Sequence, residues 1–307
     1  MYKSTFEFLR GMTQKTIIFF IKLMRPFVSI KIIWFSRFMA TDKRYICFDR
    51  HGLVYILNTK DYAVSRKIYI GRQNEHLKVI KAIDWVQQYD RGWIPETILD
   101  IGANVGHISI PLLKNNIFNK AIGFEPEREN YKLFKANVIM NDLGEKIDTF
   151  NCAIGVSDNQ ELEFELSDDN FGDHRVRVSE SDGSFNEVAR TVVKVASHSL
   201  DSFEGVIGVT KPMIWIDVQG YEGAVLKGAR RLMEQLPPIG IEFWPYGMKR
   251  AATFDDLFES LLPYRYYFDL DNSTPVKNDI GVLKDLYVQH QNDDSFYFDI
   301  LVLNTQH

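Results

Sequence analysis

Apolar and polar positions repeat along this chain with two periods, and the switches between them mark out its elements. Positions 44–49 and 53–58 alternate on either side of His51-Gly52, and Ala63 to Ile70 alternates again, which predicts a small antiparallel sheet ahead of the main body. From about Glu75 to Gln88 the period becomes helical. Strand and helix then follow each other. A strand over 97–101 leads to a helix near 105–114 that must absorb Pro111. A strand over 120–125 leads to a helix with Pro126 and Glu127 in its first turn and Tyr131, Phe134 and Val138 on one face. A strand over 147–153, an alternating one from Glu161 to Leu166, a polar loop over roughly 167–187 and a strand over 190–196 come next. The apolar run Met213 to Asp217 ends in an acid. Gly220 opens a helix bearing Val225, Leu232 and Leu236, which Pro237-Pro238 stops before the strand Ile239 to Trp244. Helices near 254–262 and 279–290 alternate with strands over 264–270 and 296–303. Alternation closed by a strand pair predicts an α/β fold: a mostly parallel, doubly wound sheet with an antiparallel C-terminal edge.

Composition changes this picture mainly at the N-terminus. The 307 residues, 45% apolar and 25% charged, suffice for one large α/β domain with additions. We divide them into a basic amphipathic helical segment over 1–44, the small β region over 45–74 and the main domain over 75–307. The net charge of −5 conceals an asymmetry: residues 1–44 carry nine Lys and Arg against two acids, the remainder 27 against 39. An acidic body argues against a nucleic-acid partner. Within 13–40 the apolar runs are broken by Lys22, Arg25, Pro26, Lys31 and Arg37, and none reaches the roughly 20 residues of a membrane span. Neither a span nor a secretory signal is predicted. Two readings of this segment stand side by side: helices hinged at Pro26 on the anionic inner face of a membrane, or helices docked on the body or on a second subunit. Cys47 and Cys152 form neither a disulfide framework nor a metal-ligand spacing, which fits a reducing cytosol.

The chemistry concentrates in Ile98-Leu-Asp-Ile-Gly-Ala-Asn-Val-Gly-His107 and Gly123-Phe-Glu-Pro126. A strand ends in Asp100 and turns on Gly102 and Gly106; the next strand ends in Glu125, 19 residues beyond Gly106. Glycines admit a ligand to the backbone, and an acid at the end of the following strand holds ribose hydroxyls. Asn104 stands where a dinucleotide turn carries its middle glycine. A carboxylate at the first turn suits an ammonium rather than a phosphate, which selects S-adenosylmethionine over NAD. Glu125 is therefore assigned to the ribose and Asp100 to the methionine end, with Gly102 and Gly106 giving backbone access. Asn104 either bonds the cofactor or braces its own turn, and the backbone of Asn151, Cys152 and Ala153 borders the adenine.

For proton transfer there are two candidates. Asp217 sits at a strand end, where it could orient the acceptor, act as base or hold a metal; His174, in a polar loop and with an ordinary pKa near 6.5, is the sharper candidate for the base, with Asp217 next in line. Arg175 suits an acidic acceptor or a neighbouring carboxylate. His107 and Glu242 are further site candidates, and Glu222 favours its helix dipole. Trp244 and Tyr246 either stack on a sugar or belong to the core. No compact metal motif occurs, and no required metal is expected.

Taken as a set, Asp100 to Gly106, Phe124-Glu-Pro126, Asn137 with Asn141, Ala153-Ile-Gly155, Asn170-Phe-Gly-Asp-His-Arg175, Ser199-Leu-Asp201, Ile216-Asp-Val-Gln-Gly220, Glu222 and Leu226-Lys-Gly228 resemble the FkbM-type methyltransferases over roughly 75–245. The commonest pattern there has Glu where this chain has Gln219. The resemblance implies a Rossmann-like class I methyltransferase fold, S-adenosylmethionine as cofactor, and methyl transfer to a hydroxyl of a sugar, glycan or glycolipid-like acceptor. Two other readings are kept: a non-catalytic scaffold on the same fold, and a nicotinamide-dependent oxidoreductase, which Asn104 disfavours.

Overall fold

The structure is a computed structural model and describes residues 44–304. Within them the chain forms two compact units, one of residues 44–73 with 169–172 and one of 74–168 with 173–304. The expectations for residues 1–43 lie outside the described residues.

In the first unit β1 (Tyr45–Arg50) pairs antiparallel with β2 (Leu53–Asn58). The two-residue turn needs positive φ at both positions, and His51 (53°) and Gly52 (79°) supply it. The expected third strand is instead the helix Val64–Ile70. The cause is Asp61, whose carboxylate accepts the N–H groups of Ala63 (3.0 Å), Val64 (3.2 Å) and Ser65 (2.6 Å). Capping three otherwise orphaned donors outweighs the alternating pattern. Asp169–Gly172 belongs here as well: Tyr62 N–H donates to Asp169 O (2.7 Å) and Phe171 N–H to Asp61 Oδ1 (3.3 Å).

The second unit is built on β3 (Thr97–Ile101), β4 (Lys120–Phe124), β5 (Ile147–Phe150), β6 (Ala153–Ile154), β7 (Gln160–Leu166), β8 (Arg175–Val176), β9 (Thr191–His198), β10 (Pro212–Ile216), β11 (Ile239–Phe243), β12 (Tyr266–Asp269), β13 (Asn278–Asp279) and β14 (Phe298–Leu303). Eight of these form one sheet in the order β13-β12-β14-β11-β10-β3-β4-β5. The run from β11 to β5 is parallel; β14 is antiparallel to β11 and to β12, and β13 to β12. This is the α/β, mostly parallel sheet with an antiparallel edge that the alternation predicts. The order reverses between β3 and β10, and in open α/β sheets the carboxyl ends at such a reversal are where ligands bind.

Alternate residues bury one side of the sheet: Leu99, Ile101, Ile122, Phe124, Ile214, Ile216, Ile241 and Phe243 join Val225, Leu232 and Leu257 in one apolar cluster. Each such side chain contributes about 1.5–3 kcal/mol by leaving water. The same alternation places Asp100, Glu125, Asp217, Glu242 and Asp299 on the other side, near the carboxyl edge. The helix Glu75–Tyr89 is tied to that side through an ion pair of Lys78 with Asp299 and a hydrogen bond from Lys81 to Leu270 O (2.8 Å).

Three further differences from the expected elements have local causes. The strand over 147–153 is divided: β5 stays in the large sheet, while β6 pairs with β9 in a second sheet of order β6-β9-β7-β8. The helix after Gly220 is two short ones, Glu222–Lys227 and Arg230–Met233, broken at Gly228, where a Cβ would lie 2.0 Å from Gly155 O. The helix near 105–114 begins only at Ser109, which leaves Pro111 in its first turn, where a missing N–H is harmless.

Candidate active site

The glycine turn is a point of close backbone approach. Gly102 has φ 91°, and a Cβ on it would stand 1.9 Å from Asp217 O. Only glycine lets the ends of β3 and β10 come this close. Gly106 (φ 83°) and Gly123 both pack on Phe134, with Cβ clearances of 2.5 Å each. Between the two turn glycines Asn104 takes φ 50°, and its N–H donates to Glu125 Oε2 (2.9 Å). Glu125 Oε1 accepts from Glu127 N–H (2.8 Å), so the acid fixes the turn and keeps one lone pair on each oxygen for a ligand. Burial pushes its pKa up to about 8 against these hydrogen bonds.

Asp100 and His107 flank the glycine turn. Asp100 is 1% exposed; its Oδ2 accepts from Ser109 Oγ, while Oδ1 is buried without a partner. His107 is 6% exposed; its Nε2 meets Glu75 Oε2 at 2.7 Å, and Nδ1 is buried without a partner. Burial opposes a charge on His107, but Glu75, Asp100 and Asp217 outweigh it and raise its pKa. Burial raises the pKa of Asp100 as well. Asp100 Oδ1 and His107 Nδ1 therefore lack partners beside the glycine turn. An α-amino acid carries the complementary ammonium and carboxylate.

The other wall is a chain of acids. Asp217 N–H extends the ladder to Ile101 O (3.0 Å). Gln219, at φ 57°, donates from its amide nitrogen to Asp217 Oδ1 and to Glu242 Oε2, both at 2.7 Å. Glu242 lies opposite Asp299 in the β11–β14 register, and Lys78 pairs with Asp299. Burial, with Glu75 and Asp299 adding, lifts Asp217 to about 7; burial, with Asp217 and Asp299 adding, lifts Glu242 well above its ordinary value. Glu222 Oε1 braces its own turn, accepting from Val218 N–H (3.2 Å) and Gly220 N–H (3.1 Å), while its Oε2 is buried without a partner.

His174 Nδ1 accepts Ser167 N–H (2.9 Å), and burial together with Arg190 lowers its pKa to about 3. Arg175 is buried among carboxylates, 2.6 Å from Asp173, 3.4 Å from Glu165 and 4.0 Å from Glu187, with its guanidinium 5.0 Å from the centre of the Trp244 ring. Of its two expected partners, the structure thus shows the neighbouring carboxylates. Trp244 Nε1 donates to Asp294 O (3.2 Å), and Tyr246 OH accepts from Ser184 N–H (2.8 Å). Both rings are buried. Cys152 and Ala153 are buried, with the Cys152 thiol pushed up to about 12 by burial. The Asn151 amide ties their loop to Glu125 O at 2.9 Å. Among the described residues no group of three or more His, Cys, Asp or Glu side chains could hold a metal ion.

The sequence pattern of the methyltransferase FkbM domain matches residues 100–268. This chain belongs to that family. The match spans β3 to β12 and thus the glycine turn, Glu125, Asp217, Gln219 and Glu242. Among solved structures, the methyltransferase FkbM from Methylobacillus flagellatus is 16% identical, with 71% of this chain and 47% of that chain covered and a TM-score of 0.37. The tRNA methyltransferase TrmK of B. subtilis is 10% identical over 74% of this chain and 65% of its own, at 0.38. TYW2 of M. jannaschii, solved in complex with AdoMet, is 11% identical over 85% and 86%, also at 0.38. The chain spans about half the length of the Methylobacillus protein. No curated protein matches.

Several marks of this methyltransferase family hold the scaffold together. Asn137 donates to Val105 O (3.0 Å) and Asn141 to Asn137 O (2.7 Å), which anchors the glycine turn to the helix Arg128–Met140. Ser199 donates from both N–H and Oγ to Asp158 (2.8 Å each). Two site residues escape a reading of the sequence: Glu75, the partner of His107, and Gln219 as a bridge between acids. The signal for Gln219 is its departure from the family's glutamate. An amide can donate to both neighbours where a third carboxylate would repel them.

Proposed function

We propose that this methyltransferase uses S-adenosylmethionine and transfers a methyl group to a hydroxyl of a sugar, glycan or glycolipid-like acceptor. The observation that carries the cofactor is the pair of buried, unpartnered atoms Asp100 Oδ1 and His107 Nδ1 beside the glycine turn. Asp100 would accept from the ammonium, and His107, when protonated at Nδ1, would donate to the carboxylate. Glu125 would accept the ribose hydroxyls on its remaining lone pairs, and the backbone over Asn151, Cys152 and Ala153 would border the adenine. S-adenosylmethionine bound there supplies a methyl group already activated by its sulfonium. What is left for the protein is to align the acceptor hydroxyl, exclude water and take the proton.

Asp217 is the better base. Lifted to about 7, it is partly ionised at neutral pH and holds a proton firmly enough to accept one. His174, lowered to about 3, binds a proton too weakly. Gln219 keeps Asp217 and Glu242 in one arrangement, so a proton taken by Asp217 is stabilised by the acid next to it. Alignment supplies up to about 7–11 kcal/mol and a positioned base about 10²–10⁴-fold in rate.

Calorimetric titration with S-adenosylhomocysteine tests the cofactor. The wild-type chain should bind it, and Glu125→Ala should weaken binding about tenfold or more, the loss expected for charge-assisted hydrogen bonds. No detectable binding to the wild type would leave only the scaffold. Transfer of a labelled methyl group to a panel of free sugars and glycolipids then tests the acceptor, and labelling of amines alone would reject the hydroxyl.

A further inference from the structure

Across Gln219 from Asp217 and Glu242 lies a surface groove. One wall is β8 and its continuation, with Arg175, Arg177 and Ser179; the other is the helix Pro245–Ala251, with Gly247 and Arg250; Gln219 lines it too. Gln219 stands between the groove and the two acids, since it donates to both Asp217 and Glu242. The close packing follows from Gly220, whose Cβ would stand 2.4 Å from the backbone of Gly247.

The charges along the groove do not balance. Arg175 is paired with Asp173 and Glu165, and Arg250 with Glu187 (3.3 Å). Arg177 forms no ion pair with any described residue. Its N–H is committed to Glu163 O (2.8 Å), which fixes the backbone, while its Nε is buried without a partner. A guanidinium never gives up its proton at ordinary pH, so a buried donor on it must be matched by an acceptor. The strongest match is an oxyanion, which takes two parallel N–H bonds.

We propose that this groove is the acceptor subsite and that Arg177 selects acceptors bearing an oxyanion, a carboxylate or a phosphate, near the hydroxyl to be methylated. The proposal rests on the methyltransferase reading above but concerns a different residue and a different ligand. The acceptor class becomes acidic sugars, as opposed to neutral ones.

Saturation-transfer NMR on the full chain, with and without S-adenosylhomocysteine, tests it with three probes sharing one ring: glucose, glucuronic acid and glucose 6-phosphate. At least one charged probe should bind about tenfold or more tighter than glucose, as expected for a bidentate charge-assisted pair, and the advantage should shrink with added salt. Comparing the two charged probes identifies the oxyanion. Arg177→Gln should abolish the advantage and Arg177→Lys should keep part of it, with affinity for S-adenosylhomocysteine unchanged in both. Silence from both charged probes, equal binding of all three, or an advantage that survives in Arg177→Gln would overturn the subsite. A chain that binds S-adenosylhomocysteine but shows no charge preference loses only the subsite. One that ignores S-adenosylhomocysteine yet keeps an Arg177-dependent preference loses only the methyltransferase reading.

Discussion

Asp217 and His174 differ in how firmly each holds a proton near neutrality, and that difference gives opposite expectations for their variants. Asp217→Asn removes the base but keeps the shape and an acceptor for Gln219, so turnover should fall about 10²–10⁴-fold while affinity for S-adenosylhomocysteine changes little. His174→Ala should leave turnover within the same order of magnitude. It should instead cost about 1–3 kcal/mol of stability, because Ser167 N–H loses its acceptor. Steady-state kinetics and urea denaturation on both variants read the two quantities separately, and a slow, fully stable His174→Ala would return the base to the loop. The glycine turn and the acids that flank it, Asp100 and Glu125, stand out in the sequence because they sit at the ends of two consecutive strands, β3 and β4, joined by one turn and helix. The environment of His174 is not legible there, because what decides it lies elsewhere, in burial and Ser167 N–H; Arg175 finds the neighbouring carboxylate Asp173, but Glu165, Glu187 and Trp244 reach it only through the fold. Gln219 was invisible in its bridging role for the same reason, since that role exists only once β10 and β11 are neighbours.

At the scale of elements, alternation of strand and helix carried the large sheet almost whole, including its antiparallel edge, because both periods are clean where a face is buried. Misreadings occurred where one side chain or one close approach overrides the period. Ala63 to Ile70 alternates, yet Asp61 caps it into a helix. Asp61→Ala leaves four N–H groups, those of Ala63, Val64, Ser65 and Phe171, without that acceptor. We expect a loss of about 1–3 kcal/mol, at the upper end for a cap because several donors share it. The loss should appear first as faster amide exchange over residues 63–71, with the strands of the large sheet unaffected. Uniform acceleration throughout the chain would mean that the capped helix is no separate unit of stability. The division of β5 from β6 had no sequence signal at all, for it depends on which sheet each half joins.

Taken over the whole molecule, the site is a store of protons. Glu125 is lifted to about 8 and Asp217 and Glu222 to about 7, so the folded chain holds protons that the unfolded chain has already released. Stability contributed by a group whose folded pKa is raised is lost as pH climbs from the unfolded value through the folded one. His174, lowered to about 3 from 6.5, acts in the opposite sense, but only below 6.5. Above that pH the decline is unopposed, and the ligand-free chain should lose roughly 1–3 kcal/mol between about pH 6.5 and 8.5 in urea denaturation. The same store should empty when a nucleoside binds. Hydroxyls donating to Glu125 favour its charged form, and an ammonium at Asp100 favours that carboxylate, so binding of S-adenosylhomocysteine at pH 7 should release about one proton. Calorimetry in phosphate and in Tris, whose ionisation enthalpies differ, reads the release as a difference in apparent binding enthalpy. Glu125→Gln should shrink that difference by more than half, and an enthalpy independent of buffer in the wild type would show that the buried carboxyls are not where the ligand docks.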